Sequence, residues 1–185
     1  MRKYVLGYII TPSPVGPMIV MGYQKRGMWE GYINGFGGKI EENEPYWRAM
    51  QRELKEETGL DISQSEAIHS AVGNIEFIHY EKPDFDTNVS VHFFNIPNLG
   101  IQTSTRRSIF PKDWTILDEN EEMYPIAVAK GELPLEKMPP TDKMWLPQML
   151  HNNIEKGERT HCQLRGILKY VNSQPTFIIN SISYK

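Results

Sequence analysis

The chain of 185 residues has a single cysteine, Cys162. A disulfide framework and a cysteine-rich zinc site within the chain are therefore excluded, and a reducing, cytoplasmic setting is expected. The five histidines form no H-x-x-x-H pair of the kind that binds zinc on a helix. Metal chemistry based on sulfur or on paired imidazoles is accordingly not indicated.

Long apolar runs are also missing. The start of the chain, MRKYVLGYII, is basic and then apolar, but Pro12 and Pro14 follow at once and no small-residue cleavage site appears. We expect a first strand there rather than a signal peptide, and no run reaches the roughly 20 apolar residues of a membrane span. Because the net charge is only -3, neither a membrane nor a long nucleic acid is an expected partner.

The length and the pattern predict one mixed α/β domain over residues 1–185. The turn TPSPVGP joins two strand patterns into a hairpin, and a second helix is predicted at TDKMWLPQMLHNNIEKG. Residues 97–113 show no regular pattern and contain Arg106 and Arg107, so they form either a lid over phosphates or a surface loop. The further strand predictions are SAVGNIEFIHY, NVSVHFFNI, a strand after the acidic run DENEE, and a final hairpin of CQLRGILKYV with PTFIINSISY.

A helix is predicted from Pro45 to about Thr58, with Gly59 as its stop. Its apolar stripe of Trp47, Met50 and Leu54 is expected to pack on a sheet.

Three glutamates of this helix, Glu53, Glu56 and Glu57, are spaced i, i+3 and i+4. They fall within an arc of about 100° that borders the apolar stripe. Like charges at this spacing repel one another, and the helix dipole disfavours anions near the C-terminus. A divalent cation would reverse both penalties, and Mg²⁺ prefers carboxylate oxygens.

A solvated charged face is the alternative explanation, because Arg48, Arg52 and Lys55 are near enough to pair with these acids. Two features favour a cation site instead. The acids lie beside the buried stripe, and the glycine run GFGG stands just before the helix, where backbone can approach a ligand closely.

These residues resemble the Nudix hydrolase signature, G-x5-E-x7-R-E-U-x-E-E-x-G-U, where U is aliphatic. The positions that fill it are Gly38, Glu44, Arg52, Glu53, Leu54, Glu56, Glu57, Gly59 and Leu60. The resemblance implies an α/β fold, an α/β/α sandwich around a mixed sheet. It also implies hydrolysis of a nucleoside diphosphate linked to another group, with Mg²⁺ or Mn²⁺.

The resemblance also implies roles for the residues of the signature. Glu53, Glu56 and Glu57 would hold the metal, joined by the carbonyl of Gly37 or Gly38. Either Glu53 or Glu57 would activate the attacking water. Arg52 would orient the acids through Glu44.

A weaker similarity, over residues 20–60 and 118–150, is to the branch that hydrolyses oxidised purine nucleoside triphosphates such as 8-oxo-dGTP. It implies that Asn34 and Asp142 bind the purine and that Glu119 is a further metal ligand, with Glu121 and Glu122 as alternatives. Lys25, Met28 and Phe36 complete the predicted substrate-binding set. The resemblance leaves open a monomer or a homodimer.

The chain departs from that branch at four places, where it has Met28, Ile33, Pro139 and Thr141. These departures predict a pocket that holds a different base or holds the base differently, with stacking from Trp29, Tyr32 or Trp145, unless these are core or rim residues.

Two other functions stay open from the sequence. One is hydrolysis of ADP-ribose, a dinucleotide polyphosphate or a capped RNA end, although the proline of ADP-ribose enzymes is absent from GNIEFIHY and the next one is Pro83. The other is a non-catalytic domain that senses a nucleotide. The retained glutamates argue against it.

Overall fold

The computed structural model of the protein describes residues 2–11, 18–26, 29–77, 89–97, 123–154, 162–171 and 174–184. Within these ranges no helix is long and apolar enough to cross a membrane. The described helices are α1 (Tyr46–Thr58), α2 (Gln64–Ser70) and α3 (Asp142–Ile154). The described strands are β1 (Arg2–Thr11), β2 (Met18–Gln24), β3 (Ile33–Asn34), β4 (Ala71–Phe77), β5 (Val89–Pro97), β6 (Met123–Ala129), β7 (Cys162–Val171) and β8 (Gln174–Tyr184).

The strands form one mixed sheet in the order β3-β2-β1-β5-β4-β7-β8, and β6 also pairs with β2. The two predicted hairpins are confirmed as the antiparallel pairs β1–β2 and β7–β8, and the further predicted strands SAVGNIEFIHY and NVSVHFFNI correspond to the antiparallel pair β4–β5. The sheet is mixed because β1 pairs with β5, and β4 with β7, in parallel. The last hairpin thus extends the same sheet.

Strands β1 and β2 part after a short stretch of pairing, and this opening receives the glycine-rich segment. The two strands pair only through residues 9–11 and 18–20. Beyond that point Gly22 of β2 pairs with Asn34, while β1 forms isolated bridges to Phe36 and Lys39. The segment before α1 is therefore held by backbone bonds to both strands, including the Val5 N–H to the Gly38 carbonyl at 2.9 Å.

The side chains of a strand alternate between the two sides of a sheet. Both sides of this sheet carry apolar residues, and helices cover each of them. Helices α1 and α2 cover one core, and α3 with Met138 covers the other. The first core takes Val5, Ile9, Val20, Phe94 and Ile96 from the strands, and the second takes Tyr8, Ile19, Met21, Ile75 and Phe93. This is the expected α/β/α sandwich around a mixed sheet.

Helix α1 has the predicted boundaries. Pro45 precedes it with extended backbone, and Gly59 ends it in the left-handed conformation, at φ 74°. The pattern also placed its buried side correctly, since Met50 and Leu54 are fully buried and Trp47 packs beside them.

Helix α2 was not predicted. It is only seven residues long, and its sequence QSEAIHS is mostly polar. Its start is fixed by a capping box, in which the Ser63 hydroxyl accepts from the Glu66 N–H and the Glu66 carboxylate accepts from the Ser63 N–H.

Candidate active site

The glycine segment and α1 bring the predicted catalytic residues together. The Gly37 N–H donates to Oε2 of Glu57 at 2.7 Å. A side chain at Gly37 would strike the Val5 carbonyl oxygen, and one at Gly38 would strike the carboxylate of Glu53. Glycine is therefore required at Gly37, where the backbone passes directly against β1 with φ 151°, whereas a side chain at position 38 would displace the Glu53 carboxylate.

Arg52 ties this arrangement together. Its Nε and Nη2 donate to the two carboxylate oxygens of Glu44 at 3.1 and 2.9 Å. Its Nη1 donates to Oε1 of Glu53 at 2.7 Å, and its Nη2 donates to the Lys39 carbonyl at 3.0 Å. A weaker contact of 3.5 Å reaches Glu56, whose side chain is 59% exposed. The predicted pairing of Arg52 with Glu44 is thus present in the structure.

The protein environment shifts the pKa of two of these carboxyls in opposite directions. The hydrogen bonds from Arg52 lower the pKa of Glu44 and keep this residue an anion. Burial raises the pKa of Glu53, although Arg52 acts in the other direction. Glu53 is thus a desolvated carboxyl beside a fixed cation, and an additional positive charge would favour its ionised form.

The oxygen donors fit a hard divalent cation. Glu53 and Glu57 of α1 lie against the glycine segment, and carboxylate and carbonyl oxygens are the ligands that Mg²⁺ and Mn²⁺ accept. The Gly38 carbonyl already accepts the Val5 N–H. Within the described ranges no three His, Cys, Asp or Glu side chains converge as a ready-made metal cluster, since Arg52 and the Gly37 N–H hold the glutamates individually. Glu119, with its alternatives Glu121 and Glu122, lies outside the described residues.

Asn34 stands at the start of the same segment. It is buried, and its Oδ1 accepts the Gly35 N–H at 2.8 Å. Because this bond uses the oxygen, the NH₂ group is the part of the side chain that remains to meet a ligand. Lys25 directly follows β2, whose Gln24 pairs with Tyr32 and Gly31 in the turn that leads to Asn34.

Asp142 is the first residue of α3, the helix that covers the face of the sheet opposite to α1. It is only 5% exposed, and burial raises its pKa from 3.8 to about 7. The Thr141 hydroxyl donates a long bond to its Oδ1 at 3.4 Å. The indole N–H of Trp145 lowers the pKa of Asp142 in part, because a nearby donor favours the carboxylate. Its geometry does not meet that of a hydrogen bond. Asp142 is thus a carboxyl that is partly protonated near neutral pH, able to donate as well as to accept.

Phe36 requires a correction. It was predicted to bind the substrate, but its side chain is fully buried in the core under α1. That core lies on the opposite face of the sheet from the core that α3 covers, so the ring supports the fold.

The candidates for stacking have mixed outcomes. Trp145 is also a core residue, since it is 1% exposed and packs on Phe93 with ring centroids 4.3 Å apart. Trp29 and Tyr32 make an edge contact at 5.9 Å near the turn. Met28, Arg106 and Arg107 lie outside the described residues.

Two residues with buried polar atoms, the core residue Tyr8 and the half-buried Asn95, had no signal in the sequence. Tyr8 and Asn95 lie in apolar strand patterns, and only the parallel register of β1 with β5 makes them neighbours. Both have a buried side-chain atom without a hydrogen-bond partner in the described part of the chain.

Comparisons of the sequence with a family model and with known proteins indicate the same family. The model of the NUDIX domain matches residues 15–149. The oxidized purine nucleoside triphosphate hydrolase of Mus musculus is 31% identical over 170 residues, which are 91% of this chain and 92% of the mouse protein.

Solved structures show the same fold at low identity. The mutator MutT protein of Bacillus halodurans has a TM-score of 0.64 at 14% identity, over 97% of this chain and 98% of that one. A bifunctional NMN adenylyltransferase/ADP-ribose pyrophosphatase of Francisella tularensis, solved with AMP and a Mn ion, has a TM-score of 0.56 at 15% identity. That match covers 82% of this chain and 41% of the bifunctional protein. With the filled signature and the matched domain model, this chain belongs to the Nudix family.

Proposed function

We propose that this Nudix pyrophosphohydrolase cleaves purine nucleoside triphosphates, including oxidised ones, to the monophosphate and pyrophosphate. The mouse relative is named for hydrolysis of oxidised purine nucleoside triphosphates, and the similarity extends over most of both chains. We expect the protein to act on free nucleotides as a single domain over residues 1–185, as a monomer or a homodimer.

One structural observation carries the proposal. A single short segment, residues 34–38, connects a buried amide at Asn34 with the two glycines that touch Glu53 and Glu57. The group proposed to hold the base and the glycines that contact the glutamates proposed to act on the phosphates are therefore on one short piece of backbone. A nucleotide spans a base and a phosphate chain in the same way.

The divalent cation would be held by Glu53, Glu56 and Glu57, with the Gly37 carbonyl and Glu119. Of the two glycine carbonyls we favour Gly37, because the Gly38 carbonyl is already an acceptor for Val5. Mg²⁺ is the proposed ion and Mn²⁺ the alternative, since the related bifunctional enzyme was solved with Mn. When bound, the cation neutralises phosphate charge and lowers the pKa of water.

The residues of the chain would then orient the reaction. Arg52 keeps Glu44 ionised and fixes Oε1 of Glu53. Either Glu53 or Glu57 accepts the proton of the attacking water, as a general base held close to the phosphates. Asn34 and Asp142 would bind the base, with Lys25 and Met28 beside them.

The test is release of pyrophosphate from 8-oxo-dGTP, dGTP and dATP, with ADP-ribose as the competing substrate, in Mg²⁺ and after chelation. Glu53→Gln and Glu57→Gln are expected to lower kcat by about 10²–10⁴-fold with the fold intact. Glu42→Gln, an exposed acid just before the helix, is the matched control. Nucleotide binding without hydrolysis by the wild type would favour a sensing domain, and preferred cleavage of ADP-ribose would replace the proposed substrate.

A further inference from the structure

The core between the sheet and α3 contains an unusual polar layer. Four buried side-chain atoms have no hydrogen-bond partner in the described residues, namely Tyr8 Oη, Asn95 Nδ2, Asp142 Oδ2 and Trp145 Nε1. A buried polar atom that stays unpaired destabilises the fold. Two of these residues, Tyr8 and Trp145, belong to the apolar core, so their unpaired polar atoms require an explanation.

The four atoms come from neighbouring elements. Tyr8 and Asn95 face each other in the parallel register of β1 and β5. Trp145 lies one helical turn after Asp142 on α3 and packs on Phe93 of β5. The unpaired donors thus come from β1, β5 and α3, the elements that pack together in this part of the molecule.

Tyr8 is the member of this layer that connects the two proposed base-binding regions. Its ring belongs to the same core as Trp145 and Met138. Burial is the main cause that raises the pKa of Tyr8, and the charge of Asp142 raises it further. The Gly35 N–H acts in the opposite direction. The hydroxyl forms a hydrogen bond to neither group, and the Gly35 N–H donates to Asn34 Oδ1 instead.

We propose that Tyr8 is a positioning residue for base selection, whose hydroxyl donates to Oδ2 of Asp142 through one internal water. This inference rests on the proposed function, in which Asp142 reads the purine. A donor on Oδ2 fixes the carboxyl plane and leaves Oδ1, the oxygen near the Thr141 hydroxyl, to face the base. Selectivity between bases then depends on the Tyr8 hydroxyl, which is buried and does not contact the nucleotide itself.

The experiment is a double-mutant cycle of Tyr8→Phe and Asp142→Asn. Tyr8→Phe removes one oxygen and keeps the packed ring, so the fold is expected to remain. Tyr46→Phe, on a ring that is 37% exposed at the start of α1, is the matched control. The quantities measured are kcat and KM for 8-oxo-dGTP, dGTP and dATP, with the Tm of each variant.

We expect Tyr8→Phe to change the ratio of kcat/KM between these bases by about tenfold, mainly through KM. In the Asp142→Asn background the same substitution should have no further effect on the ratio, because the two residues act as one unit. A tyrosine with only a structural role would instead give additive changes, or a changed Tm with unchanged ratios. An internal water that only fills the core would give the same result. Either of these results overturns the inference.

Failure of the proposed function gives a different result. A wild type that cleaves none of the purine triphosphates refutes the proposed substrate, whatever Tyr8 does. If it cleaves ADP-ribose instead, the same cycle is measured on KM for ADP-ribose. Additivity there would refute the role of Tyr8 independently.

Discussion

Arg52 and Glu44 form a two-pronged ion pair across the start of the site, with Nε–Oε1 and Nη2–Oε2 distances of 3.1 and 2.9 Å. The same guanidinium reaches Glu53 at 2.7 Å and the Lys39 carbonyl at 3.0 Å. One planar cation therefore links α1, the turn before it and the glycine segment. Its fork geometry is what a lysine ammonium cannot reproduce.

Arg52→Lys is accordingly expected to lower kcat by about 10- to 100-fold, because outer residues that orient ligands typically matter by that amount. The charge is retained, so a loss would be due to lost geometry. Arg48→Lys, on an exposed residue of the same helix, is the control and should leave kcat unchanged. Equal kcat values for the two variants would remove Arg52 from the orienting role.

Gly38→Ala tests the contact between backbone and carboxylate. The added methyl group would occupy the position of the Glu53 carboxylate, which must then move. A displacement of about 1 Å in a catalytic group can cost about 100-fold in rate, and we expect at least that loss in steady-state assays. Gly131→Ala is a suitable comparison, because a side chain there meets no atom within 4 Å. Full activity of Gly38→Ala would show that the position of Glu53 is not critical.

Much of this site was predictable because its residues are close in the sequence. The spacing of Glu53, Glu56 and Glu57 is set by one helix, and the boundaries of α1 follow from Pro45 and Gly59. Hairpins are local too, and the two predicted ones are present as β1–β2 and β7–β8. The glycine segment was recognised by composition, although its insertion between β1 and β2 was not.

The errors concern long-range packing. Phe36 lies in a segment that approaches the substrate, but which side of the sheet its ring enters depends on the bridge of that segment to Gly7. Likewise, Tyr8 meets Asn95 only through the parallel pairing of β1 with β5. A polar layer of this kind has no periodicity or motif from which to predict it.

The capping box of α2 offers a prediction on stability alone. Ser63→Ala removes the oxygen that accepts the Glu66 N–H at 3.2 Å, and the loss of such a cap costs about 1 kcal/mol. Urea unfolding should show this decrease, whereas kcat should not change, since Ser63 is outside the proposed site. Gln64→Ala, at the next position, should destabilise less. A cap that contributes nothing would leave the two variants equally stable.

The buried carboxyl of Asp142 is expected to make stability depend on pH. Burial raises its pKa from 3.8 to about 7, so between these values the folded protein keeps a proton that the unfolded chain has released. The free energy of unfolding should therefore fall as the pH rises from about 4 to about 7, and this contribution should then level off because both states are ionised.

Thermal unfolding of the wild type and of Asp142→Asn over this range measures the effect as a difference in Tm. The effect of the raised pKa of Glu53 is present in both proteins and cancels from this difference. Asp61→Asn, at an exposed residue paired with Lys55, should show no comparable trend, and a difference for Asp142→Asn that is independent of pH would contradict a buried, proton-holding carboxyl.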